Sequence, residues 1–204
     1  MIMKTLWVFG DSFSVDFENN NIENFTQYRK VKGYYPKTWG KILSEELNCN
    51  YINHAQGGID NHTILESFCD HIREIKPNDM VFVGWAPMGR MRVIDNDGKW
   101  KYLYPNSEHN LYFGLDRHTI QMLLVNRVDD TNFGARDVLK DEIKSWENMI
   151  QHTMKDMNLH IWKWYNPEIL LKEYQTIRQE TNIGDDHWSE NGHREYAMDL
   201  LKGF

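Results

Sequence analysis

Two runs, Thr5-Leu6-Trp7-Val8-Phe9 and Met80-Val81-Phe82-Val83-Gly84-Trp85, are apolar at nearly every position and are bounded by turn-forming residues. Unbroken runs of this length, rich in β-branched and aromatic residues, predict strands buried on both faces. Residues 50–55 and 159–164 predict two more. Between them the period changes: Trp39, Ile42, Leu43 and Leu47 recur at helical spacing after Pro36, which predicts a helix over 36–47. Further helices are expected over 61–75, 135–156, 167–177 and from about 191 to 201, while Pro77-Asn78-Asp79 stops the one before the second buried strand. The polar stretch from Asp16 to Tyr35, with Asn19-Asn20-Asn21 inside it, reads as a long loop. Strands that alternate with helices predict a largely parallel sheet covered on both faces.

One segment departs from this rhythm. Residues 92–94 and 100–104 flank Asp95-Asn96-Asp97-Gly98, which predicts a β-hairpin with Asp-Gly in its turn. It reads as part of an insertion spanning about 88–134 on a single domain covering residues 1–204.

Composition narrows the class. The chain has 204 residues, of which 41% are hydrophobic and 26% charged, as in a globular domain with a substantial core. A net charge of −7 argues against broad electrostatic binding to nucleic acid or anionic lipid. Cys49 and Cys69 give no disulfide framework and no CxxC motif. The apolar run before Gly10 is too short for a signal peptide or a membrane span, so a cytoplasmic location is expected.

Candidate chemistry lies at the two ends. Gly10-Asp11-Ser12 follows the first strand, so Ser12 falls at the carboxyl edge of the sheet, where open α/β sheets bind ligands. By themselves these three residues also suit an ordinary turn. Near the other end, Asp185-Asp186-His187-Trp188-Ser189 with Gly192-His193 puts acids and a histidine just before the last helix. Serine becomes a nucleophile when an adjacent base takes its proton and a carboxylate fixes that base. Asp185, His187 and His193 could also ligate zinc, but no second half-site with ligand spacing accompanies them, and no metal or cofactor is expected.

Together the two blocks resemble the SGNH (GDSL-type) hydrolase family, and the match runs from Val8 to His193. The resemblance implies a three-layer α/β/α sandwich of flavodoxin-like arrangement, with Ser12 as nucleophile and His187 as base. His193 matches a glycine-histidine pair to which a packing role is assigned. Asn53-His54-Ala55-Gln56-Gly57-Gly58-Ile59-Asp60-Asn61 resembles the family's second block. It implies that the Gly58 backbone N–H, with that of Ser12, meets the oxyanion, and it makes Asn61 either a site residue or a helix start.

Two departures bear on activity. The family acid lies three residues before the histidine, where this chain has Gly184, so Asp185 or Asp186 must serve, with Asp185 preferred. After the third strand the family has Gly-x-Asn-Asp, whereas this chain has Gly84-Trp85-Ala86-Pro87. Loss of an oxyanion donor costs about 3–4 kcal/mol. The Trp85 indole, Arg90 or Arg92 is a candidate replacement, and Asp11 is a further candidate site residue. This form of the block resembles a divergent phage-encoded branch. The expected activity is a serine esterase acting on a small-molecule or glycan ester, with Phe17, Tyr34, Tyr35, Trp100 and Tyr102 as candidate stacking residues for a sugar. The competing expectation is a weakly active or inactive member that binds glycan or builds a phage particle.

Overall fold

The first buried run becomes β1 (Thr5–Phe9), and the strands Asn50–Asn53 (β2), Met80–Trp85 (β3), Met91–Ile94 (β4), Trp100–Leu103 (β5) and Asn158–Lys163 (β6) follow in chain order. Helices are α1 (Glu23–Lys32), α2 (Trp39–Glu46), α3 (Asn61–His71), α4 (Asp137–Thr153), α5 (Ile177–Thr181) and α6 (Glu190–Leu201). The computed structural model describes residues 4–19, 23–86, 90–95, 97–103, 137–155, 158–163 and 174–202. Of the expected helix over 167–177, residues 167–173 lie outside them, and residues 174–176 are not helical, because Thr176 is the extended N-cap of the helix that begins at Ile177. The insertion from residue 104 to residue 134 also lies outside them.

Four strands form one parallel sheet in the order β2-β1-β3-β6, with β1 paired to β2 on one side and to β3 on the other. Alternate residues of the central strands feed two cores, because successive side chains point to opposite faces. Leu6, Val8, Met80 and Phe82 meet Trp39, Ile42 and Leu43 of α2 and Tyr196, Ala197 and Leu200 of α6. Trp7, Phe9, Val81 and Val83 meet Ile64 and Phe68 of α3 and Ile143 and Ile150 of α4. A helix layer therefore covers each face, giving the α/β/α sandwich. β4 and β5 pair antiparallel with each other as a separate two-stranded sheet.

The segment read as a loop after Ser12 is different. It contains a single 3₁₀ turn at Phe17–Asn19 and then α1. That helix has a weak sequence signature because only Phe25 and Tyr28, spaced three apart, are buried along its ten residues. Phe17 stacks on Phe25 with ring centroids 3.7 Å apart. It is a core residue and leaves the set of candidate sugar-stacking residues. α2 starts at Trp39, later than Pro36; the Thr38 hydroxyl donates to Asp16 at 2.6 Å and does not cap the helix. Among the described residues no helix is long and apolar enough to cross a membrane.

β1 is anchored at its start by a buried carboxylate. Asp79, just before β3, accepts from Thr5 N at 2.9 Å, from Trp7 Nε1 at 3.0 Å and from Lys76 N at 2.9 Å. Removing it strands three donors, one of them a buried indole. Asp79→Ala is expected to lower the unfolding free energy by about 3 kcal/mol in urea titration.

Candidate active site

Parallel strands that share a direction bring their carboxyl ends to one edge, and there the chain reverses across β1: β2 lies on one side and β3 on the other. A crevice at such a switch point is the usual ligand position in open α/β sheets. Ser12 follows β1, Gly58 follows β2 and Ala86 follows β3, so all three loops open at this edge.

The Ser12 turn is tightly built. Asp11 Oδ1 accepts the Phe13 N–H at 3.1 Å, and Ser14 N donates to Asp11 O at 3.0 Å. The Asn53 side chain, from the end of β2, donates to Ser14 O at 2.8 Å. Gly10 is required by close approach: a Cβ there would lie 2.9 Å from Ser14 Oγ and 3.2 Å from Gly84 O. In the second loop Gly58 adopts φ 77°, a region open to glycine at little cost.

The acid and the histidine come from a segment fastened to the chain before it. Ile177 N donates to His187 O at 2.8 Å, Arg178 N to Asp185 O at 2.8 Å and Ser189 N to Gln175 O at 2.9 Å. The fastening starts from α5, whose N-terminus carries a capping box in which Thr176 and Gln179 satisfy each other's backbone N–H. The Thr-x-x-Gln spacing is visible in the sequence and is the signal that marks this short helix.

Asp185, not Asp186, faces the histidine. Its Oδ1 lies 2.6 Å from His187 Nδ1 and accepts the His187 backbone N–H at 2.9 Å. A Cβ at Gly184 would meet nothing within 4 Å, whereas the Asp185 carboxylate one residue later reaches the ring. Burial pushes the Asp185 carboxyl up, but the hydrogen bonds and charge of His187 together outweigh it and hold the group below the usual range. Asn24 of α1 adds a smaller pull in that direction without reaching hydrogen-bond geometry to Oδ2. Asp186 is exposed and pairs with Arg178 at 2.7 Å on the surface.

His187 is brought to the Ser12 turn by aromatic packing. Its ring centroid lies 4.8 Å from that of Phe13, the residue after Ser12, and 5.3 Å from that of Phe25. Phe25 belongs to the helix that the sequence pattern did not reveal. His187 Nε2 is buried and has no hydrogen-bond partner, so the bond to Ser12 is not made in this conformation. Ser12 itself is 6% exposed.

The candidates for the missing third-block donor separate cleanly. Trp85 is wholly buried and its indole N–H donates to Glu147 of α4 at 3.0 Å, away from the site. Asn61 is neither a bare helix start nor an open donor. Its carboxamide accepts the Ala86 N–H at 2.7 Å and donates to Ala86 O at 3.0 Å, clamping the loop after β3. Arg92 pairs with Glu66 through two 2.6 Å bonds. Arg90 alone of these reaches the Ser12 turn, with Nη1 3.3 Å from Asp11 Oδ2 and 3.4 Å from Ile59 O.

No protein-family model and no curated protein matches the chain. Solved structures similar to it include a member of the lipolytic protein G-D-S-L family from Veillonella parvula, 13% identical over 98% of each chain with a TM-score of 0.45. Another is the lipase/acylhydrolase from Enterococcus faecalis, 12% identical over 98% of this chain and 95% of that one, also with a TM-score of 0.45. Shared chain paths do not specify chemistry, which resides in the side chains.

His193 is fully buried, edge-on to Phe17 and Trp188, with both ring nitrogens lacking partners. Burial first, and then the charge of His187, push its pKa down to about 3. In the unfolded chain the same ring takes up a proton near 6.5. Between these values the unfolded state binds more protons, so stability that is complete above pH 6.5 is lost as the pH falls towards 3. By pH 5 this residue should have cost about 2 kcal/mol relative to pH 8. In urea titrations at the two pH values, His193→Leu should show that much less pH dependence than the wild type, whatever its stability at pH 8.

Proposed function

We propose that this protein is a serine hydrolase that cleaves a carboxylic ester through an acyl-enzyme on Ser12. The observation that carries this reading is the Asp185–His187 pair, packed through the His187 ring against Phe13, with Nε2 left unpartnered beside the nucleophile turn. An ionised carboxylate only accepts hydrogen bonds, so Nδ1 carries the proton and the Nε2 lone pair is left to act as base.

Ser12 Oγ attacks the ester carbonyl while its proton passes to His187 Nε2, and Asp185 stabilises the imidazolium formed. The negative charge on the carbonyl oxygen is met by the Ser12 and Gly58 backbone N–H groups. Collapse expels the alcohol, which takes the proton from His187. Water, activated by the same histidine, then releases the acid and frees Ser12. Nothing in this sequence needs a metal or cofactor.

For the alcohol side, the exposed aromatic rings favour a glycan bearing an O-acyl group. Trp100 and Tyr34 remain about half exposed, and an aromatic face suits the apolar face of a sugar ring. Trp100 stands on the hairpin with the Arg92 guanidinium 4.7 Å from its ring centroid. The hairpin in turn is joined to the Gly58 loop, because Arg92 N donates to Asp60 Oδ2 at 3.1 Å.

Hydrolysis of p-nitrophenyl acetate should fall roughly 10⁴-fold in Ser12→Ala and by a comparable factor in Asp185→Asn, while Asp186→Asn matches the wild type. Equal slow rates in wild type and Ser12→Ala, with no labelling of Ser12 by a fluorophosphonate, would refute the reading. Trp100→Ala should raise KM for an O-acetylated oligosaccharide by about tenfold and leave p-nitrophenyl acetate kinetics unchanged.

A further inference from the structure

A polar cluster beside Ser12, built on Asp11 and Arg90, has no part in that mechanism. Asp11 is completely buried, yet both its oxygens are engaged: Oδ1 holds the Phe13 N–H at 3.1 Å and Oδ2 faces Arg90 Nη1 at 3.3 Å. The same Nη1 lies 3.4 Å from the carbonyl of Ile59, the residue after Gly58. Arg90 is itself largely buried, with 14% of its side chain exposed. A single guanidinium nitrogen therefore spans the turn that carries Ser12 and the loop that carries Gly58.

We infer that Arg90 is a positioning residue, tying the Ser12 turn to the Gly58 loop and thereby fixing the separation of the two backbone N–H groups that receive the oxyanion. This inference rests on the ester-hydrolysis reading above. Its physical basis is the absence of a side-chain donor at the end of β3. Ala86 has none, the Trp85 indole is committed to Glu147, and Asn61 is committed to the Ala86 backbone. Among the described residues stabilisation then depends on two amides from separate loops, and such donors work only when held within a few tenths of an ångström of their productive positions. The loop after β3 contributes by bracing those amides from Arg90, four residues beyond Ala86.

Charge gives the brace its stiffness. A deeply buried carboxylate needs compensating charge, so removing the Arg90 guanidinium weakens that compensation at Asp11 and slackens its hold on the Phe13 N–H and the backbone around Ser12. Both contacts come from one nitrogen, Arg90 Nη1, so a lysine ammonium, which carries three donors on a shorter stem, can restore part of the tie.

The test compares Arg90→Met, Arg90→Lys and the double variant Asp11→Asn/Arg90→Met with the wild type on p-nitrophenyl acetate. Arg90→Met should lower kcat roughly 100-fold with KM changed by less than about threefold, and slow fluorophosphonate labelling of Ser12 by a similar factor. Arg90→Lys should recover part of kcat. In ¹⁵N-resolved NMR spectra of Arg90→Met, the amide resonances of both Phe13 and Gly58 should shift. An unchanged kcat, a rise in KM alone, or a Gly58 resonance that stays in place overturns the inference. If Arg90→Met fails to fold, the double variant, which removes the Asp11 charge together with that of Arg90, carries the same expected loss of kcat, and wild-type kcat in it overturns the inference. A wild type without Ser12-dependent hydrolysis defeats the ester reading instead, and the Phe13 and Gly58 resonances then decide on the tie by themselves.

Discussion

A strand that is buried on both faces and paired on both edges has no freedom to choose where its chain emerges. β1 is such a strand: Leu6 and Val8 serve one core, Trp7 and Phe9 the other, and β2 and β3 occupy its edges. A slip of one residue would reverse every side chain between the two cores, so the register is rigid. Gly10, Asp11 and Ser12 are consequently delivered to a fixed point at the carboxyl edge, and the loops after β2 and β3 arrive beside them for the same reason. The segment holding Asp185 and His187 need only be fastened nearby, which its backbone bonds to residues 175–178 accomplish.

Polar groups around this edge are buried in matched sets. Asp11 faces Arg90, Asp185 faces His187, Glu147 takes the Trp85 indole and Asn61 takes both backbone groups of Ala86. Buried polar groups that satisfy one another define a single arrangement more sharply than apolar packing does. Asp185 Oδ2 and His187 Nε2 stay unpartnered within these sets, and His193 departs further. It carries two unpartnered nitrogens inside an aromatic shell, and there the ring behaves as a neutral packing element.

How much of this the sequence disclosed depended on how local the cause was. Met80–Trp85 matches its apolar run because six consecutive buried residues need no partner to identify them. The hairpin was legible from its Asp-Gly turn. Helix α1 was not, since two buried aromatic residues among polar ones give almost no periodic signal and the helix depends on tertiary packing. The serine, the histidine and the two acids stood out as residue types, but the selection of Asp185 over Asp186 comes from a bend in the backbone that aims one inward and the other at Arg178. The fates of Trp85 and Asn61 were equally hidden, because each is decided by a partner far along the chain.

The hairpin raises a different matter. β4 and β5 bond to each other and add no strand to the main sheet, while Arg92 and Tyr102 join them to Asp60 and Thr63. An element attached by a few side contacts can be lengthened, shortened or replaced without disturbing the register of the sheet, and loop length carries only a slowly growing entropic penalty. The architecture is thus modular: a rigid chassis fixes where the loops carrying Ser12, Gly58 and Ala86 emerge, and an arm beside them can vary without moving them.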